Sequence, residues 1–222
     1  MKKKTRASIL IVDDHPMVRE GLAGRIAGEA GLEVCGEAAD MDEALEQVKQ
    51  LRPDLVIVDI SLKSSHGVDL IKRLKSTGPA GTRPKVLVHT MYTESLYADR
   101  ALQAGADGYI TKQEAPEQVL EAIRQILDGK VYLSPEMSQR VLSRSVGRPS
   151  DEAAPSVDKL SDRELEVFRL IGEGLTTGEI ANLLHLSTHT IDTHRENIKR
   201  KLDLKNAAEL NRAAVQWVLE NG

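Results

Sequence analysis

The chain has 222 residues, of which 41% are hydrophobic, 29% charged and 3% aromatic, and its 30 Lys/Arg against 34 Asp/Glu give a net charge of −4. That length predicts two domains of ordinary size, and the mix of apolar and charged residues excludes a disordered or fibrous chain. Cys35, the single cysteine, excludes an intrachain disulfide and fits a cytoplasmic location, while no apolar run approaches the ~20 residues that span a bilayer, so no membrane partner is expected.

The chain begins MKKKTRASILIVDDH, and the apolar stretch at 9–12 is too short for a signal-peptide core. From residue 8 to about 128, short β-branched runs at 9–12, 32–35, 55–58, 86–88 and 108–110 alternate with stretches of helical spacing at about 17–28, 41–51, 67–76, 95–104 and 116–128. In 42–51, for instance, Ala44, Leu45, Val48 and Leu51 share one helix face. Five strands alternating with five helices predict a parallel sheet covered on both faces, with the most apolar runs, around residues 10 and 56, at its centre. A first domain over 7–129 follows. Residues 130–157 read as a linker: Ser134-Pro135-Glu136 starts a short helix to about 144, and SVGRPSDEAAPSVD after it is small and polar.

The rest, 158–222, predicts a small all-α domain of four helices at about 162–172, 177–184, 188–202 and 207–219. Ser161-x-x-Glu164, Thr176-x-x-Glu179 and Asn206-x-x-Glu209 have the spacing of capping boxes, and Ser187 is a fourth cap. Ile180, Ala181 and Leu184 form one face of a short helix, His185-Leu186-Ser187 makes a tight turn, and Ile191, Ile198 and Leu202 point the next helix at the core. Thr188, His189, Asp192, Thr193, Glu196, Lys199 and Arg200 then face outward. Residues alone leave two readings open for that face, a DNA-reading helix and a solvated charged surface. This domain carries nine Lys/Arg against eleven Asp/Glu, which does not favour nucleic acid. The acids Asp192 and Glu196 either accept from cytosine N4 or weaken binding so that a monomer alone does not hold DNA, which gives dimerisation more weight.

In a parallel α/β sheet, ligands sit at the carboxyl ends of the strands. Asp13 and Asp14 end the first strand, Asp59 the third and Thr90 the fourth, and Lys112 follows the fifth. Three clustered carboxylates repel one another, and a hard divalent cation such as Mg²⁺ relieves that repulsion. A cation, a lysine and a hydroxyl around one carboxylate make a site for a phosphoryl group. His15 reads as a loop residue at the rim. His185, His189 and His194 lie on different faces and do not predict a metal site.

The strings ILIVDDHPMVREGL, PDLVIVDISL, VLVHTM and GADGYITK resemble, in order, the motifs of response-regulator receivers. The tail, with Glu164, Val167, Leu170, Gly174, Thr177, Ile180, Ala181, Leu184, Thr190, Ile191 and Leu202, resembles LuxR-type helix-turn-helix domains. Together they resemble two-component response regulators of the NarL/FixJ subgroup. That resemblance implies a flavodoxin-like sheet in the order 2-1-3-4-5. It implies that a histidine kinase phosphorylates Asp59, that Asp13, Asp14, Asp59 and the Ser61 carbonyl hold Mg²⁺, and that Thr90 and Lys112 contact the phosphoryl group. Tyr109 becomes the switch aromatic, turning inward when Thr90 moves. The helix from 188 becomes the recognition helix, and part of the last helix, with Leu210, Ala214 and Trp217, makes a two-fold contact in a phosphorylated homodimer on palindromic double-stranded DNA. The protein is then a transcription regulator and not an enzyme, apart from its own phosphotransfer and dephosphorylation. Two departures stand out: the usual Met-Pro after the phosphorylated Asp is replaced by Leu62-Lys63 and a Ser65-His66-Gly67 loop, and Tyr92 places a bulky ring beside the approach of hydrolytic water.

Overall fold

A computed structural model of the chain describes residues 6–62, 65–77, 81, 83–92, 94–135, 137–139 and 157–221. It divides into two compact units, residues 1–146 and 147–222.

The first unit alternates strands and helices: β1 Ala7–Val12, α1 Pro16–Ala27, β2 Leu32–Ala38, α2 Met41–Leu51, β3 Leu55–Val58, β4 Ser61–Leu62, β5 Ser65–His66, α3 Gly67–Ser76, β6 Lys85–Thr90, α4 Glu94–Ala104, β7 Gly108–Thr111 and α5 Pro116–Leu127. The sheet order is β2-β1-β3-β6-β7, and each neighbouring pair is parallel. Counting its five strands in sequence, this is the expected 2-1-3-4-5, with the apolar runs of β1 and β3 inside. Ile9, Ile11, Leu55, Ile57, Leu87 and Ile110 pack on one face against Leu22 and Ile26 of α1 and Val119, Ile123 and Ile126 of α5. The alternate residues Leu10, Val56, Val86 and Val88 are fully buried as well, so both faces are covered.

Three details differ from the sequence expectation. Ser61–Leu62 and Ser65–His66 pair antiparallel as a small hairpin rather than a loop. Leu51, which shares one helix face with Ala44, Leu45 and Val48 in the sequence, is 40% exposed although Ala44 is fully buried. The packed unit also continues past residue 129. Tyr132 bridges Gly108 in parallel register, its carbonyl accepts from the Tyr109 N–H (3.0 Å) and its own N–H donates to the Asp107 carbonyl (3.1 Å). The segment from 130 therefore begins as part of the sheet edge and not as linker. Pro135 and 137–139 are helical, with Ser134 Oγ accepting from the Met137 N–H (3.1 Å) and Met137 buried. Residues 140–144 of that expected helix, and the linker to 156, lie outside the described residues.

The second unit holds α6 Asp162–Gly172, α7 Thr177–Leu183, α8 Thr188–Lys201 and α9 Ala207–Asn221. Ser161 and Thr176 cap α6 and α7 in full capping boxes. Ser187 accepts from the Thr190 N–H to start α8, and Asn206 Oδ1 accepts from the Glu209 N–H (2.9 Å) at α9. His185 takes φ 52° in the turn between α7 and α8. Among the described residues, no helix is long and apolar enough to cross a membrane.

Candidate functional site

The parallel register delivers polar residues to one edge. Where β1 stops, the Asp13 N–H still donates to the Ala38 carbonyl (3.1 Å). The Asp59 N–H donates to Val12 (2.9 Å) and the Lys112 N–H to Thr90 (2.7 Å). Ladder bonds running one residue past the strands thus fix the backbones of three site residues. Asp13, Asp14, Asp59 and Thr90 are all buried.

Lys112 Nζ stands between two of the carboxylates, 2.6 Å from Asp59 Oδ2 and 2.7 Å from Asp13 Oδ2. Burial pushes the Asp59 carboxyl above its ordinary value; Lys112 and a hydrogen bond from Thr90 oppose that shift, and the neighbouring Asp13 charge adds to it. Burial works against the Lys112 ammonium, but Asp59 and Asp13 outweigh it and hold the pKa above its ordinary value. Other bonds lock the loops: the Ser61 N–H donates to Asp59 Oδ1 (3.2 Å), the His15 N–H to Asp13 Oδ1 (2.9 Å), and Arg19 to the Asp13 carbonyl (2.7 Å).

Three ionised carboxylates against one ammonium leave two negative charges uncompensated in a buried site, which a divalent cation brings to neutrality. The donor atoms fit one: an atom from each of Asp13, Asp14, His15 and Asp59 lies within 4.8 Å of all the others. Asp14 Oδ1 is buried and accepts no hydrogen bond, although His15 Nδ1 approaches to 2.7 Å. A buried acceptor left open beside two more carboxylates suits a hard, oxygen-preferring ion such as Mg²⁺. His15, expected at the rim, is largely exposed, yet its ring rests on Asp13 and Asp14.

The expected switch residues are joined through a backbone. Thr90 Oγ1 accepts from the Tyr92 N–H (3.5 Å), and the Tyr109 hydroxyl donates to the Tyr92 carbonyl (2.9 Å). Tyr109 is fully buried, so the inward position that was expected to follow phosphorylation is already occupied. The Tyr92 ring packs on Tyr97 with centroids 4.8 Å apart, and Tyr97 in turn meets His66 at 5.4 Å. The sequence reading missed this aromatic row; the spacing of Tyr92 and Tyr97 and the change of the usual Met-Pro to a loop containing His66 were its only signals. It also missed Asp107, which binds Lys75 (2.7 Å) and Lys85 (2.9 Å) and ties β6 to β7 at the far end of the sheet.

In the second unit, Thr188, His189, Asp192, Thr193, Glu196 and Arg200 are exposed and Lys199 is half-buried, so the structure gives the expected residues one outward face. Lys199 pairs with Glu196 (2.8 Å) and Lys201 with the buried Glu164 (2.6 Å). The expected dimer residues are placed differently. Leu210 and Ala214 are fully buried and Trp217 is 5% exposed. Trp217 packs on Phe168 with centroids 5.8 Å apart, so these three seal α9 onto its own domain and are not free to meet a second copy. The exposed large apolar residues of α9 are Val215 (43% exposed) and Leu219 (81%).

Comparison with known proteins agrees with this geometry. Residues 9–124 match the family described as "Response regulator receiver domain", and residues 158–214 match "Bacterial regulatory proteins, luxR family". The chain is 34% identical over 208 residues to the response regulator GacA of Pseudomonas aeruginosa, covering 94% of this chain and 95% of that one. It is similar to RcsB of Salmonella enterica serovar Typhimurium bound to promoter rprA in the presence of the phosphomimetic BeF₃⁻, at 27% identity and TM-score 0.60, covering 95% of this chain and 98% of RcsB. It is also similar to RcsB seen as two dimers on two parallel DNAs, at 27% identity and TM-score 0.56, covering 97% and 98%.

Proposed function

Because this chain belongs to the response regulators that join a receiver domain to a LuxR-type DNA-binding domain, we propose that phosphorylation of Asp59 by a histidine kinase controls its dimerisation and its hold on DNA. The family assignment makes it a DNA-binding regulator of transcription. The finer reading rests on one observation: Lys112 and Thr90 converge on a buried Asp59 beside Asp13 and Asp14.

Asp59 attacks the phosphorus of a phosphohistidine. The N–P bond breaks as the O–P bond forms, and the histidine, already protonated on its other ring nitrogen, leaves as neutral imidazole. Lys112 shifts its charge toward the new phosphoryl oxygens, and Thr90 donates its hydroxyl to one of them. Asp13, Asp14, Asp59 and the Ser61 carbonyl are the residues that would hold Mg²⁺, and a bound ion there would supply charge neutralisation for the phosphoryl group. Movement of Thr90 pulls on the Tyr92 peptide and so on Tyr109. The phosphoryl group acts only through its different affinity for the two arrangements.

RcsB is bound to promoter DNA in one solved structure, and in another two RcsB dimers are bound to two parallel DNAs. By that likeness α8 enters the major groove, and a two-fold dimer places two such helices on a palindromic site. The dimer contact passes from the buried Leu210, Ala214 and Trp217 to the exposed Val215 and Leu219.

The test is incubation with a small-molecule phosphodonor and Mg²⁺ followed by intact-mass measurement. The wild-type chain gains the mass of one phosphoryl group, and Asp59→Ala gains none. Labelling of Asp59→Ala to the same extent contradicts the assignment.

A further inference from the structure

We propose that Asp192 makes α8 a reader of cytosine, its carboxylate accepting a hydrogen bond from the N4 amino group of one cytosine in each half-site. The proposal rests on the reading that the second unit binds duplex DNA, and it names the sequence class that unit selects.

The argument begins with the order of charges on the exposed face of α8. Thr188, His189, Asp192, Thr193 and Glu196 come first, and the cations Lys199 and Arg200 come only in the last turn. A recognition helix meets base edges with its N-terminal residues. Guanine shows two acceptors, O6 and N7, to the major groove and is read by Arg or Lys. The N-terminal half of α8 offers neither, so this helix is not built to read guanine there.

The two acids of that face differ. The Glu196 charge is already engaged by Lys199 at 2.8 Å. Among the described residues, no cation pairs with Asp192, which is exposed in the second turn. Its flanking Thr193 has its hydroxyl committed to the His189 carbonyl (3.0 Å). An ionised carboxylate only accepts hydrogen bonds, so Asp192 selects for a base that donates. Thymine O4 and guanine O6 and N7 repel it. Adenine donates through N6, but its N7 acceptor lies beside that group. Cytosine presents the N4 amino group with no acceptor of its own next to it. The Ser187 cap, whose Oγ accepts from the Thr190 N–H (3.1 Å), fixes where the helix starts and hence the register of Asp192 in the groove.

The competing role for the same residue is plain repulsion of the phosphates, and the two roles leave different marks. Selection from a random duplex pool, run on the full-length chain with phosphodonor and Mg²⁺, is compared for wild type, Asp192→Asn and Asp192→Ala. We expect the wild type to enrich sites with cytosine at one fixed position of each half, and to bind about tenfold more weakly when that base pair is changed. Asp192→Asn moves the preference at that position toward adenine, which an amide meets at both N6 and N7. Asp192→Ala loses the preference there and keeps the rest of the site. If both variants keep the wild-type consensus and tighten on all sequences alike, Asp192 only repels phosphates and the proposal is overturned while DNA binding stands. If the wild type enriches nothing, the DNA-binding reading fails and takes this proposal with it.

Discussion

The Tyr109 hydroxyl donates to the Tyr92 carbonyl across 2.9 Å, and the same residue 92 offers its N–H to Thr90 Oγ1. The backbone of one residue therefore separates the Thr90 hydroxyl, beside Asp59, from the aromatic on β7. In this arrangement Tyr109 is held inward before any phosphoryl group arrives.

Removing that bond should weaken the link without harming the chemistry. Tyr109→Phe leaves the Tyr92 carbonyl without this donor, and a hydrogen bond of this kind contributes about 1 kcal/mol. The variant should accept a phosphoryl group as well as wild type, by intact mass, yet show a smaller gain in DNA affinity on phosphorylation. An unchanged gain would show that the connection runs elsewhere.

Gly67 carries a second prediction. A methyl group there would lie 2.7 Å from Ile60 Cα and press on the Asp59 carbonyl. Both are backbone atoms, so the strand end bearing Asp59 must shift. Gly67→Ala should cost about 1–3 kcal/mol in urea unfolding. It should also slow phosphorylation by up to about a hundredfold, since a displacement near 1 Å has that effect on reacting groups. Normal labelling rates would contradict this.

His89 sets a pH dependence. It is 8% exposed, and its Nδ1 is buried without a hydrogen-bond partner. Burial, and then the Lys112 charge, lower its pKa from 6.5 to about 4, with Asp13 pulling the other way. The unfolded chain takes a proton at His89 below about pH 6.5 and the folded chain resists until about pH 4. Stability from this group is thus whole above pH 6.5 and falls as the pH drops toward 4. The loss is about 2 kcal/mol at pH 5 and about 3 kcal/mol in full. Urea unfolding at pH 7 and pH 5 should show His89→Gln losing less stability than wild type; equal losses would remove His89 as the cause.

The reassigned dimer face gives a paired test. Leu219→Glu should leave the fold intact and abolish the proposed phosphorylation-dependent dimer, measured by light scattering. Trp217→Ala should cost about 3–5 kcal/mol by emptying the contact with Phe168. A Leu219→Glu chain that still dimerises would place the contact elsewhere.

The central strands and the acidic cluster at their ends were legible because strand-end acids break very apolar runs: Asp13, Asp14 and Asp59 stand where nothing apolar is missing from the core pattern, whereas the order of the strands came only through the family resemblance. The four helix starts were legible from Ser161, Thr176, Ser187 and Asn206, since capping is local. The role of α9 was not. Leu210, Ala214 and Trp217 and the pair Val215 and Leu219 are both helical apolar sets, and periodicity alone does not say which one meets the domain's own core. Packing of Trp217 on Phe168 decides it. Tyr132 was missed for another reason: a single bridging residue beside Gly108 leaves no repeating pattern, so the sheet edge past 129 read as linker. The Tyr92–Tyr97–His66 row was missed because the spacing of Tyr92 and Tyr97 hints at a pair, while the contact of Tyr97 with His66 depends on neighbours brought together only by the fold.

The most direct test of the account is the affinity of the full-length chain for its selected DNA site, measured with and without phosphodonor and Mg²⁺ alongside Asp59→Ala. Coupling of ordinary size predicts tightening of roughly 5- to 150-fold for the wild type and none for the variant. Equal tightening of both chains, or none in the wild type once it is shown to be phosphorylated, would contradict control of DNA binding through Asp59.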